Sequence, residues 1–85
     1  MPWRLEIEPR ALKELEAIGT PNAARILKAL NRLAVDPYGA PNVKTLSGGE
    51  GYRLRIGDYR VLYVLRDGEM LVLVVKVAHR REVYR

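Results

Sequence analysis

Hydrophobic and polar positions alternate at the start of the chain. Trp3, Leu5 and Ile7 fall on one side and Arg4, Glu6 and Glu8 on the other, which predicts a short strand over residues 3–8. The period then changes. Pro9 occupies a position where a first helical residue tolerates proline, and Ala11, Leu12, Leu15 and Ile18 recur at helical spacing until Gly19 stops the run. Thr20-Pro21 repeats the start signal for a second helix, whose stripe is Ala23, Ile26, Leu27, Leu30, Leu33 and Ala34. Asp36-Pro37 ends it, because a residue before proline resists helical geometry. Residues 38–51 hold Pro41-Asn42 and Ser47-Gly48-Gly49 without a sustained period, and read as a loop.

Alternation returns over residues 52–56, 59–66 and 70–78, three further strands. Gly57-Asp58 is a two-residue Gly-X turn, which pairs Ile56 with Tyr59, Arg55 with Arg60, Leu54 with Val61 and Arg53 with Leu62. Asp67-Gly68 reads as a type I′ turn, with Arg66 facing Glu69. The order β-α-α-β-β-β predicts an α+β fold in which a helix hairpin packs on one face of a small, mainly antiparallel sheet. Period two also sorts the faces. Tyr52, Leu54, Ile56, Tyr59, Val61 and Tyr63 form the side that receives the helices, while Arg53, Arg55 and Arg60 point the other way. Carried through the second hairpin, the arginine side is expected to hold Leu62, Val64, Leu71, Leu73, Val75 and Val77, an apolar surface that something should cover.

Like charges directly opposite one another in a sheet destabilise it, so three stacked arginines call for an anion. The bland alternative is a solvated polar face. Charge distribution favours the anion: of a net +5, residues 1–50 hold 7 basic and 6 acidic side chains, and residues 51–85 hold 8 basic and 4 acidic. Seven of those eight are arginine, whose planar fork suits phosphate. Nucleic acid or an acidic protein is the expected partner. The chain of 85 residues has room for one domain, 1–85, with a modest core. With no cysteine, neither a disulfide framework nor a thiolate zinc site can form. One histidine and scattered carboxylates make no metal cluster, and Gly48-Gly49-Glu50-Gly51 lacks the spacing and the lysine of a phosphate-binding loop. No cofactor is expected. The first residues lack the apolar core of a signal peptide and the apolar run at 70–75 is too short to span a bilayer, so a cytoplasmic protein is expected.

In order and spacing, Arg10-Ala11-Leu12-Lys13-Glu14-Leu15, Lys44-Thr45-Leu46, Tyr52-Arg53-Leu54-Arg55, Asp58-Tyr59-Arg60-Val61-Leu62-Tyr63 and the terminal Val77-Ala78-His79-Arg80-Arg81-Glu82-Val83-Tyr84 resemble the RelE/ParE superfamily of toxins from toxin-antitoxin modules. The resemblance covers nearly the whole chain. It implies a ribosome-dependent, metal-independent mRNA endonuclease of the RelE-like branch, held inactive by a cognate antitoxin. That antitoxin would bring an amphipathic helix and an acidic segment, in a possible toxin-antitoxin heterotetramer, with ribosome and mRNA as the other partners and no membrane. The alternative within the superfamily is a ParE-like inhibitor of DNA gyrase without chemistry of its own; a degenerate, inactive module is a third reading.

The resemblance places basic residues at Arg53 and Arg55, arginines at Arg60 and Arg80, and a tyrosine at Tyr84 in the catalytic site; Lys44, Arg53, Arg55 and Arg81 are expected to contact RNA. Arg53 and Arg55 depart from the lysines of the best-known ribonucleases of the branch. Arginine holds phosphate but is a poor general base, because it keeps its proton. Cleavage by a 2′-hydroxyl needs a base, cations for the phosphorane charge and an acid for the leaving oxygen. Arg53, Arg55 and Arg60 suit the charge role, and Arg80 suits the charge role or that of the acid. His79, whose residue type titrates near neutrality, is the candidate base or else a structural histidine. Tyr84 would stack on a base of unpaired RNA or anchor the C-terminus, and Glu82 is first an ion-pair partner among Arg80, Arg81 and Arg85.

Overall fold

The computed structural model of the chain describes residues 2–46 and 51–79. Strand β1 (Arg4–Ile7) leads into helices α1 (Pro9–Ile18) and α2 (Asn22–Val35), followed by β2 (Val43–Thr45), β3 (Tyr52–Ile56), β4 (Tyr59–Arg66) and β5 (Leu71–His79). One five-stranded sheet runs in the order β1-β5-β4-β3-β2. Only β1 lies parallel to its neighbour, β5; the other three pairings are antiparallel. The expected α+β architecture is therefore present, with one strand more. Val43-Lys44-Thr45 was expected in a loop, but its backbone pairs with Leu54, Arg53 and Tyr52 of β3. Three residues carry too little period to announce a strand, and the partner supplies the order.

The local signals act as chemistry requires. Pro9 is the first residue of α1, where its missing N–H costs nothing, and Gly19 ends the helix at φ 72°. Gly57 takes φ +59° in the β3–β4 turn, and the pairing around it follows the Gly-X expectation residue for residue.

The second hairpin differs. Arg66 pairs with Leu71 rather than facing Glu69, and Asp67–Glu69 form a single 3₁₀ turn closed by the Met70 N–H on the Asp67 carbonyl at 3.0 Å. Contacts from elsewhere hold this longer connection. Tyr38 donates its hydroxyl hydrogen to the Asp67 carboxylate, Arg4 lies 3.8 Å from Glu69, and the Arg4 N–H donates to the Met70 carbonyl at 2.8 Å.

A bulge then changes the faces. Leu62 pairs with Lys76 but Tyr63 with Val74, leaving Val75 as the extra residue on β5. Beyond it the parity of β5 is reversed. Val77 joins the helix-facing core at 2% exposure instead of lining the arginine side, and Ala78 stands opposite Arg60. Leu62, Val64, Leu73 and Val75 are half-buried and Leu71 is buried, so the expected apolar arginine side is smaller and less open than the sequence suggests.

The core joins Ala11 and Leu15 of α1 and Ile26, Leu30 and Leu33 of α2 to Leu54, Val61, Tyr63, Val72, Val74 and Val77 of the sheet. Leu12 and Leu27, counted in the apolar stripes, instead lie exposed at 42% and 38%. Strand β1 reaches only as far as Val74 on β5, and among the described residues no strand pairs with the next stretch of that edge. Glu14 of α1 takes over there. Its carboxylate accepts the Val77 N–H at 2.9 Å and the Lys76 ammonium at 2.9 Å. Burial works against ionisation of Glu14, but the Val77 N–H, Lys76 and Arg10 together outweigh it and lower the pKa.

Candidate active site

The arginine side of β3 and β4 closes into a cavity of about 310 Å³ lined by Asn42, Val43, Lys44, Arg53, Arg55 and Arg60. Each cation arrives by register. Lys44 stands opposite Arg53 across β2 and β3, and Arg55 stands opposite Arg60 across β3 and β4. Since partners in a ladder share a face, two cross-strand pairs put four cations on one wall. No carboxylate lines the cavity among the described residues. Asn42 closes one end with φ 64°, a left-handed conformation that asparagine tolerates, and its carbonyl accepts the Arg55 N–H at 3.0 Å.

Arg60 is the anchored member of the group. It is only 5% exposed, and its Nη1 donates to the Tyr59 carbonyl at 3.1 Å and the Gly57 carbonyl at 3.4 Å. A guanidinium held by backbone carbonyls is pre-oriented for an oxyanion. Arg53 is half-buried, while Arg55 and Lys44 are exposed and can follow a ligand.

His79 is not brought to this wall. It pairs with Tyr59, and the two rings meet edge to face with centroids 5.5 Å apart, on the side that faces the helices. The bulge at Val75 decides this, because without it His79 would share the face of Arg60. His79 instead borders a second hollow with Glu14, Ile18 and Tyr59. Arg80, Arg81, Glu82 and Tyr84 lie outside the described residues. Among the described residues no three potential metal ligands gather, and no helix is long and apolar enough to cross a membrane.

Residues 5–84 match the family model described as the ParE toxin of the type II toxin-antitoxin system parDE. The chain belongs to this toxin family. Relatives extend the likeness of this ParE-family chain to RelE proteins. The RelE1 protein of Methanocaldococcus jannaschii is 30% identical, with 100% of this chain and 98% of the relative covered. The archaeal RelE-RelB complex of Pyrococcus horikoshii OT3 contains a chain that superposes with a TM-score of 0.82 at 27% identity, covering 94% of this chain and 97% of that one. The intact E. coli RelBE toxin-antitoxin complex gives 0.78 at 26% identity, covering 91% and 95%. Membership makes the ParE-family chain a toxin of a type II toxin-antitoxin module.

One further basic feature of this toxin lies on α2. A groove of about 560 Å³ separates α2 from the β3–β4 turn, and Arg25, Lys28 and Arg32 project along it. Their helical spacing was the available signal, since α2 contains no acidic residue. Arg55 borders both the groove and the cation cavity.

Proposed function

We propose that the toxin cleaves messenger RNA on the ribosome without a metal ion, through attack of a 2′-hydroxyl on the adjoining phosphate. The observation that carries this reading is the cavity that gathers Lys44, Arg53, Arg55 and Arg60 with no carboxylate among its described lining residues. Charge grows on the phosphorane during attack, and preorganised cations aimed at it lower the barrier most where water is thin. Arg60, anchored by two carbonyls, stabilises that charge; Arg53 and Arg55 clamp the phosphate and Lys44 holds the strand. In this reading Arg80 serves as leaving-group acid or further clamp and Tyr84 as the stacking residue, positions that the resemblance supplies, while Arg81 contacts the RNA. Proton abstraction by His79 would require it to turn away from Tyr59, so its present geometry favours a packing role.

A cognate antitoxin of the RelB kind is the proposed regulator, as in the complexes formed by the P. horikoshii and E. coli relatives. Its acidic groups would neutralise the cavity, and its amphipathic helix would cover exposed leucines such as Leu12 and Leu27. The ParE designation of the matching family model favours a second reading, inhibition of DNA gyrase. One experiment separates the two. The purified chain, freed of antitoxin, is incubated with mRNA-programmed ribosomes and, separately, with gyrase and relaxed plasmid. Cut mRNA with normal supercoiling supports the nuclease; intact mRNA with blocked supercoiling establishes gyrase inhibition instead.

A further inference from the structure

Beside the cation cavity, the α2 groove has its own charge pattern. Arg25, Lys28 and Arg32 recur at intervals of three and four residues, so they form one exposed row about 10 Å long. Like charges at these spacings repel and weaken a helix, and α2 carries no carboxylate to offset them. Asp36, the one acidic lining residue among the described residues, is already engaged: its Oδ1 accepts the Gly39 N–H at 3.2 Å just beyond the helix. At the N-terminal end of the row, the Arg25 guanidinium leans over the β3–β4 turn so closely that a Cβ on Gly57 would sit 3.3 Å from its nitrogen. The row therefore reaches the β3–β4 turn at Gly57, and the same groove is lined by Arg55 of the cavity wall.

We propose that this groove holds the phosphodiester backbone of the RNA strand whose reacting phosphate occupies the neighbouring cavity. The inference rests on the RNA-cleaving reading above and extends it by a backbone-tracking subsite. Arg55 and Asn42 line both hollows and connect them. No aromatic side chain lines the groove among the described residues, so nothing there stacks on bases and the subsite reads charge alone. Sequence preference must then come from elsewhere.

The test uses a non-cleavable 2′-O-methyl RNA of about 12 nucleotides, within the site sizes of single-strand binding domains. Its affinity is measured against salt for the wild-type chain and for the Arg25→Gln/Lys28→Gln/Arg32→Gln variant. Each lost phosphate contact on a single strand removes about 0.7 from the slope of log affinity against log salt, so the variant should lose about 2. A dinucleotide, which reaches the cavity alone, should bind both proteins alike. A control that removes equal charge from the β1–α1 side, Arg4→Gln/Arg10→Gln/Lys13→Gln, should keep the wild-type slope. Circular dichroism confirms that the exposed substitutions leave the fold intact.

An unchanged slope in the α2 variant, or an equal loss in the control, overturns the subsite. Loss of binding to an acidic peptide with RNA binding untouched would reassign the groove to a protein partner and also overturns it. Messenger-RNA-programmed ribosomes, titrated in parallel, separate the sources of backbone: weakened ribosome binding with unaltered oligonucleotide binding would place a ribosomal RNA backbone in the groove and refute the continuous strand. If wild-type chain binds neither oligonucleotide nor ribosome, the RNA reading itself fails. If it binds and cleaves while the α2 variant is indistinguishable from it, the groove inference fails alone.

Discussion

Glu14 holds the part of β5 that β1 does not reach, and its removal should be felt in both stability and pH dependence. Glu14→Ala strips the Val77 N–H of its acceptor in a residue only 2% exposed, and leaves Lys76 without its carboxylate. A hydrogen bond to a charged group contributes about 1.5–3 kcal/mol. The Lys76 contact is discounted to well under about 1 kcal/mol because the lysine side chain is 39% exposed. The expected loss is about 2–3 kcal/mol, which at ~4–8 °C per kcal/mol for a domain of this size lowers Tm by about 10 °C or more. Glu14→Gln, which keeps a neutral acceptor, should lose about 1 kcal/mol.

The folded-state pKa of Glu14 lies below its ordinary value of 4.5. Its ionisation therefore stabilises the fold fully above pH 4.5, and the benefit fades as pH falls through the lower folded-state value. Urea denaturation of wild type and Glu14→Gln at neutral pH and at about pH 3 should show the gap between them closing under acid. Hydrogen exchange should single out Val77 as the amide deprotected in Glu14→Ala. A loss below about 0.5 kcal/mol, or a gap that persists at acid pH, would refute the idea that a side chain stands in for the missing strand.

Tyr63 is fully buried and its hydroxyl has no hydrogen-bond partner among the described residues, so Tyr63→Phe should raise the urea midpoint by the equivalent of about 1 kcal/mol. Burial, with a smaller part from Tyr52, pushes the Tyr63 phenol up to about 12; that contribution to stability is present below pH 10 and lost as pH rises through 12, so the variant should resist alkaline unfolding better. Leu30→Ala empties a fully buried site at the centre of α2 and should cost about 2–5 kcal/mol by urea titration, with the smaller value signalling that the helices collapse into the gap. Arg60→Ala should slow single-turnover cleavage on programmed ribosomes by roughly a hundredfold, about 3 kcal/mol of transition-state stabilisation; a change under threefold would remove Arg60 from the chemistry. His79→Ala should lower stability through the lost Tyr59 contact yet preserve the shape of the pH-rate profile, and disappearance of the acidic limb would restore it as the base.

The two helices and the β3–β4 hairpin are legible in the chain because their information is local. Pro9, Gly19 and Asp36-Pro37 bound the helices through the dihedral limits of single residues, and Gly57-Asp58 sets a register from which the face of Arg53, Arg55 and Arg60 follows by period two. Lys44, expected as an RNA contact, joins that wall through a three-residue strand that exists only by pairing with β3. Other outcomes depend on partners distant in sequence. The Asp67–Glu69 turn took its form from Tyr38 and β1, and Glu14 found Val77 across 63 positions of chain. One extra residue at Val75 was enough to send Val77 into the core and His79 away from the arginines. A bulge has no composition of its own in an all-apolar run such as Leu71-Val72-Leu73-Val74-Val75; either face would accept these side chains. The register there was left to the packing of β5 between β1, β4 and α1, and that packing belongs to the tertiary structure.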